Sequence, residues 1–310
     1  MSSATAKPKA RLGDLLFSKT ASFAGIFILI TLAAVAFFLF IQALPAFSPD
    51  AEYAAQAPDG PLAYVAPYIF GTLYGSIIAL AIATPLAIGI ALYISHFASR
   101  RFAQLLGYTV DLLAAIPSVV YGLWGILVLA PFLNPTYVWL SENLGFIPLF
   151  EGPVSATGRT MLTVAIVLSI MILPIMAALI REVFLQTPKL HEEAALALGA
   201  TRWEMIKMAV LPFGRPGIIS AMMLGLGRAL GETMAVAMVL SPSSVINFAL
   251  LTSQNSNTIA ANIALDFPES GGDYRSLLIG TGLMLFLITM LVNMLARYII
   301  SRRAEFSGAN

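Results

Sequence analysis

One pattern recurs six times along this chain: an apolar run of more than 20 residues, closed by a short polar stretch. The runs fall at residues 21–44, 69–95, 104–132, 160–184, 214–240 and 276–300. A helix needs about 20 apolar residues to cross a bilayer, and the first run is also too long for the core of a signal peptide, which takes about 7 to 15. It is read as a retained first crossing. In hydrocarbon every backbone N–H and C=O must be satisfied within its own segment, so each run is expected to be a helix. The chain is 59% hydrophobic and 11% charged, which excludes a soluble globular class. The expected fold is all-α, a polytopic bundle of six transmembrane helices. It occupies residues 21–300, between an N-terminal segment at 1–20 and a tail at 301–310.

The charges between the runs alternate in sign. Residues 45–68, 133–158 and 241–275 hold Asp50, Glu52, Asp59, Glu142, Glu151, Asp266, Glu269 and Asp273. The intervening stretches hold Lys7, Lys9, Arg11, Lys19, Arg100, Arg101, Arg181, Lys189, Arg202, Lys207, Arg215, Arg297, Arg302 and Arg303, which is 14 of the 17 basic residues. Lys and Arg accumulate on the cytoplasmic side of membrane proteins, so both termini and the 187–212 loop are expected inside a cell membrane, the inner one where there are two.

Several function classes drop out. There is no cysteine, hence no disulfide framework or thiolate site, and His96 and His191 are too few and too near segment ends for a metal cage. They are expected at the membrane interface. A net charge of +1 gives no reason to expect nucleic acid. The absence of G-x-x-x-x-G-K-[ST] removes a P-loop ATPase site. No catalytic set, cofactor site or metal site stands out. Pro85, Pro117 and Pro174 interrupt apolar runs and are candidate pivots, and the frequent glycines suit close helix packing.

Residues 187–212, TPKLHEEAALALGATRWEMIKMAVLP, are the only long charged stretch between two strongly apolar ones. Thr187 is expected to cap a helix with Pro188 at its first position. Gly199 ends that helix in a left-handed conformation, and Thr201 with Glu204 makes a capping box for a second, which Pro212 stops. A second anomaly is Arg228, deep in the fifth run, with Glu232 four residues on. An arginine at a helix centre costs about 2.5 to 3.5 kcal/mol on insertion scales, so it must face protein, water or a partner charge. The spacing puts both side chains on one helix face and makes them candidates for a substrate pathway, weighed against a purely structural pair.

The order Glu193, Ala194, Ala195, Gly199, Leu211, Pro212 resembles the EAA loop of ABC-importer permeases, although Ala209 stands where that pattern prefers isoleucine. Three further stretches, AAIPSVVYGLWG (114–125), GRALGETMAV (227–236) and SNTIAANIALDFPES (256–270), resemble the PstC-type permeases of the phosphate-specific ABC transporter. The likeness runs from about residue 70 to 300. It implies a type I ABC-importer permease bundle, in which Glu193, Ala194, Ala195, Gly199, Leu211 and Pro212 couple to an ATPase and Arg228 and Glu232 belong to the translocation path. It also implies partners: a sister permease of PstA type, two copies of a cytoplasmic PstB-type ATPase, and an extracytoplasmic PstS-type phosphate-binding protein. The implied function is ATP-driven phosphate import by a subunit with no ATPase site of its own. A permease for another oxyanion and an ion-coupled secondary carrier are the alternatives; a carrier has no need of the docking stretch.

Overall fold

The computed structural model describes residues 12–48, 57–241 and 243–304. Lys7, Lys9, Arg11, Asp50, Glu52 and residues 305–310 lie outside the described residues. In chain order the helices are α1 (Leu12–Ala43), α2 (Pro61–Leu92), α3 (Arg100–Ala114), α4 (Ser118–Trp124), α5 (Ala130–Leu144), α6 (Met161–Leu185), α7 (Lys189–Ala197), α8 (Arg202–Met205), α9 (Leu211–Leu230), α10 (Met234–Val239), α11 (Ile259–Asp266) and α12 (Gly272–Ala304). Among the described residues there is no strand. Six helical stretches are long and apolar enough to cross a membrane, as the six apolar runs require.

The core is α6. Two-thirds of its apolar window is buried, against none of the window in α1, because α2, α9 and α3 all pack on it. Helix α1 is apolar all round and packs chiefly along α12. An exposed helix of that kind is tolerable only where lipid or another membrane subunit covers it.

Side-chain contacts give the register of each crossing. A Cβ at Gly107 would overlap the Arg181 guanidinium, near the C-terminal end of α6; one at Gly125 would lie 2.8 Å from Val167, in its first third; one at Gly158, just before α6, would overlap the Ala130 carbonyl. So α3, α4 and the π turn at Gly125–Leu129 run antiparallel to α6 along most of its length. By length and hydropathy the third candidate crossing is Ser118–Leu144, not the expected 104–132; the contacts with α6 nevertheless run from Gly107 to Ala130 and place α5 beside the loop that precedes α6. There the Asn134 amide donates to the Ser155 and Ala156 carbonyls. Of the three candidate pivots, Pro117 alone breaks its helix: it is the N-cap of α4, whereas Pro85 and Pro174 lie inside α2 and α6. The Tyr121 hydroxyl donates to the Leu113 carbonyl across that break at 2.9 Å.

The bundle has a basic end, where α6 finishes and α7 begins, and an opposite end closed by residues 243–258. That stretch has no regular secondary structure, yet Leu250, Leu251, Asn255, Ser256 and Thr258 are buried. Polar partners make this possible, since buried backbone groups must be paired. Asn255 Oδ1 accepts the Met161 amide at the start of α6, and its Nδ2 donates to the Ala249 carbonyl. The Leu162 amide donates to the Leu250 carbonyl, and the Ile259 amide to Thr72 Oγ1. Gly71 admits the segment: any Cβ there would overlap the carbonyl oxygens of Ser256 and Asn257.

Candidate functional site

Arg228 stands in the last turn of α9. Its depth follows from the packing of α9 on α6. A Cβ at Gly217 would strike Val183, and one at Gly225 would lie 2.7 Å from Met176 Sδ and 3.8 Å from Ile172. The helices are antiparallel, so Arg228, nearly a turn beyond Gly225, is level with the middle of α6. It faces an open cavity of about 600 Å³ between α9, α6 and α12, lined on α9 by Ser220, Met223, Leu224, Gly227 and Arg228. Those five residues sit at i, i+3, i+4, i+7 and i+8, a single stripe of α9. Asn293 and Arg297 of α12 line the same cavity. By sequence Arg297 belongs to the basic tail; nothing in its apolar flanks marks it as a neighbour of Arg228, which only the crossing of α9 and α12 brings about.

Glu232 does not share a helix face with Arg228, contrary to the spacing of four. Helix α9 ends at Leu230, Gly231 leaves helical geometry, and a separate helix, α10, begins at Met234 with Thr233 as its N-cap. The cause is visible in the side chain. Buried Glu232 turns its Oε1 onto the Ala235 amide at 3.1 Å, supplying one of the donors at the start of α10 with an acceptor. No ion pair or hydrogen bond joins it to Arg228. The fifth apolar run over 214–240 is therefore two helices joined by a bend.

The three stretches singled out in the sequence meet around that bend. A Cβ at Gly122 of α4 would lie 3.0 Å from the Ala235 Cα and 2.9 Å from Met238 Sδ, and one at Gly125 would lie 2.8 Å from Val239. Helix α11 packs on α10 from another side. At its far end α10 is held by Arg159, whose Nη2 donates to the Leu240 carbonyl at 2.9 Å. No local sequence pattern marks Arg159 for this role, which depends on the packing of α10 against the start of α6.

The coupling stretch follows the sequence in outline. Helix α7 is followed by Gly199 at φ +86, and Thr201 and Glu204 form the complete capping box of α8. Two expectations fail. Thr187 does not cap α7: Pro188 holds the N-cap position, and Thr187 Oγ1 is buried without a partner. Pro212 does not stop the second helix either. A π turn at Ile206–Val210 joins α8 to α9 without a break, and Pro212 sits in the first turn of α9. The missing proline N–H costs little there because the widened turn already departs from i→i−4 bonding.

Of the residues assigned to coupling, Glu193, Ala194, Gly199 and Pro212 are exposed, Ala195 is buried and Leu211 is half-buried. Ala195, Met205 and Ile206 anchor the stretch to the bundle. His96, at the end of the π turn after α2, adds a tether: its Nε2 lies 3.4 Å from Glu192 Oε1, and its Nδ1 2.7 Å from Ser95 Oγ. Outward, the stretch presents Leu190, Leu198, Trp203 and Met208, all more than half exposed.

A membrane bundle with a buried central helix, a bent polar crossing and an exposed helical stretch at its basic end is the architecture of a transport permease. Residues 83–305 match the family model of the binding-protein-dependent transport system inner membrane component, and the chain belongs to that family. Among its relatives, "phosphate transport system permease protein PstC 2" of Mycobacterium tuberculosis is 45% identical over 306 residues, covering 94% of this chain and 92% of its own. The PstC protein of Mesorhizobium japonicum is 40% identical over 318 residues, covering 96% and 93%. The resemblance carried by the three stretches thus extends over nearly the whole chain.

Solved structures agree at the level of fold. A bacterial alginate ABC transporter, in complex with its pentasaccharide-bound periplasmic protein, gives a TM-score of 0.64 at 17% identity, covering 93% of this chain and 95% of that one. An inward-facing MetNI methionine ABC transporter gives 0.52 at 14% identity, covering 77% and 93%.

Proposed function

We propose that the chain is the permease subunit of an ATP-driven importer of inorganic phosphate, with Arg228 as the residue that recognises the anion. The observation that carries this reading is an arginine at mid-membrane depth, facing a cavity, with no carboxylate bonded to it. A planar guanidinium presents several donors in a fixed fork that matches phosphate oxygens. Arg297, on the same cavity toward the basic end, gives the anion a second cation on its way through. Glu232 acts by fixing the bend that aims Arg228. The names of the relatives supply the cargo, phosphate.

The cavity is open on its side, so a second subunit has to close it; a sister permease of PstA type fits that place. The exposed apolar residues of α7, α8 and the π turn suit docking of a PstB-type ATPase, and a PstS-type binding protein would deliver phosphate at the end closed by residues 243–258. The excess of Lys and Arg at the basic end supports a cytoplasmic position for both termini in the inner membrane. Reconstitution with a sister permease, ATPase and binding protein should give ATP-dependent phosphate uptake that is lost in Arg228→Ala. Equal uptake by that variant in the assembled complex would remove Arg228 from the path.

A further inference from the structure

On the other flank of α6 lies a second polar cavity that the transport reading leaves unused. It measures about 760 Å³ and is bounded by the end of α2, by α3, by the last turns of α6 and by the start of α7. Three cations line it, each from a different element: Arg100 on α3, Arg181 on α6 and Lys189 on α7. None of the three has a hydrogen-bond or ion-pair partner among the described residues. Gln104 adds a neutral donor, and Asp111, deeper along α3, is the one carboxylate on the wall. Three cations against one acid leave the cavity net positive.

Arg181 is half-buried and lines the cavity wall. The guanidinium lies against the α3 backbone at Gly107, where a Cβ would overlap its Nη1 and push the end of the side chain aside. The height of the cavity is also defined. Two apolar crossings, Pro61–Phe97 and Met161–Leu185, end beside it, which puts Arg100 and Lys189 at the membrane surface and Arg181 a turn below. Next to its mouth α3 exposes Phe102, Leu105 and Leu112 along a strongly amphipathic helix. A charged cleft at headgroup depth with an apolar wall beside it matches the two halves of a phospholipid.

We propose that this cavity binds a phosphate group at the membrane surface, supplied by the headgroup of an anionic lipid or by free inorganic phosphate. Because Lys189 begins α7 and Ser95 precedes the His96 tether to Glu192, an occupied cavity ties α3, α6 and the coupling stretch together. Each cation near a membrane surface contributes about fivefold to the attraction of an anionic lipid. The inference does not depend on the identity of the transported cargo.

The test uses the full chain assembled with its partner subunits in nanodiscs of phosphatidylcholine alone or mixed with phosphatidylglycerol. Native mass spectrometry counts the phosphatidylglycerol retained. Wild-type protein should retain it in preference to phosphatidylcholine, and Arg181→Ala should cut the preference by about fivefold. Lys189→Gln and Arg100→Gln, both at the rim, should each reduce it, and Arg100→Gln, outside the coupling stretch, should do so without perturbing assembly. In a parallel arm, radiolabelled phosphate is added to phosphatidylcholine nanodiscs of the Arg228→Ala protein. Binding there that vanishes with Arg181→Ala would make free phosphate the occupant. If the variants change neither lipid retention nor phosphate binding, the cavity is not an anion site.

Discussion

The carboxylate of Glu232 accepts the amide of Ala235 at 3.1 Å, and this bond, not contact with Arg228, is what Glu232 does in the fold. The two charged residues of the bend are thereby separated in role: one sets the backbone, the other faces the cavity. Glu232→Gln keeps an oxygen acceptor and should melt close to wild type. Glu232→Ala loses the cap and should cost about 1 kcal/mol of stability, with a matching fall in phosphate uptake. Thermal melting of the purified complex and uptake by the same sample check both.

Arg228→Lys keeps the charge and loses the planar fork, so uptake should fall although net charge is unchanged. Arg228→Ala should abolish uptake. Because no bond links Arg228 to Glu232, both variants should assemble with partner subunits as well as wild type does. The double change Arg228→Met with Glu232→Gln should also assemble and transport poorly. Pull-down yield and ATP-driven uptake, measured side by side, distinguish a pathway role from a folding role; normal uptake by the assembled double variant would refute the former.

Gly199 has φ +86 and nothing within 4 Å of the position a Cβ would take. Substitution there is a conformational problem, not a steric one. Gly199→Val should force the turn between α7 and α8 at a cost of roughly 1 kcal/mol or more. The protein should still insert, while ATPase co-purification and uptake both drop. Gly199→Asn, which tolerates a left-handed conformation better, should recover part of each.

Asn255 satisfies the first turn of the central helix with one side-chain atom and the closing segment with another. Asn255→Leu removes both bonds and leaves the buried Met161 amide unpaired, a loss of about 1 to 3 kcal/mol. A cysteine at Ser256, buried in the wild-type fold, should then become accessible to a thiol reagent, while Ser256→Cys alone stays protected.

Orientation is open to the same chemistry. Cysteines at exposed Ser48, Asn143 and Glu269 should label from outside the cell. One at Leu198, 89% exposed at the basic end, should label only after the membrane is opened. The reverse pattern would invert the topology drawn from the basic residues.

The parts of this fold that were legible in the sequence are those written in periodic or pairwise signals. Apolar length located six crossings, and Thr201 with Glu204 located the start of α8, because a bilayer and a capping box each demand a fixed spacing. The bend at Gly231 was hidden because Gly-Glu-Thr sits inside an apolar run, and only the turning of Glu232 onto Ala235 breaks the helix. Pro212 misled for the opposite reason: a proline is a stop signal unless the preceding turn has already widened, and nothing in IKMAV announces a π turn. The burial of residues 243–258 depends on Asn255 and Gly71, far apart in sequence, so no local pattern carries it. For the site, a lone arginine in an apolar run pointed to Arg228, whereas Arg297 and Arg159 needed the tertiary fold to acquire neighbours.

The contacts of Gly217 and Gly225 with α6 bear on how such a permease can open. These two glycines let α9 settle against side chains of α6 that a Cβ at either position would overlap, while the π turn, Pro212 and Pro216 gather in the short stretch just before them. The stiff part of the rod and its joint are thus set apart along one helix. Because α9 packs this closely on α6, we expect the two helices to move together, and passage of the cargo to depend on that pair parting from whatever closes the far wall of the Arg228 cavity.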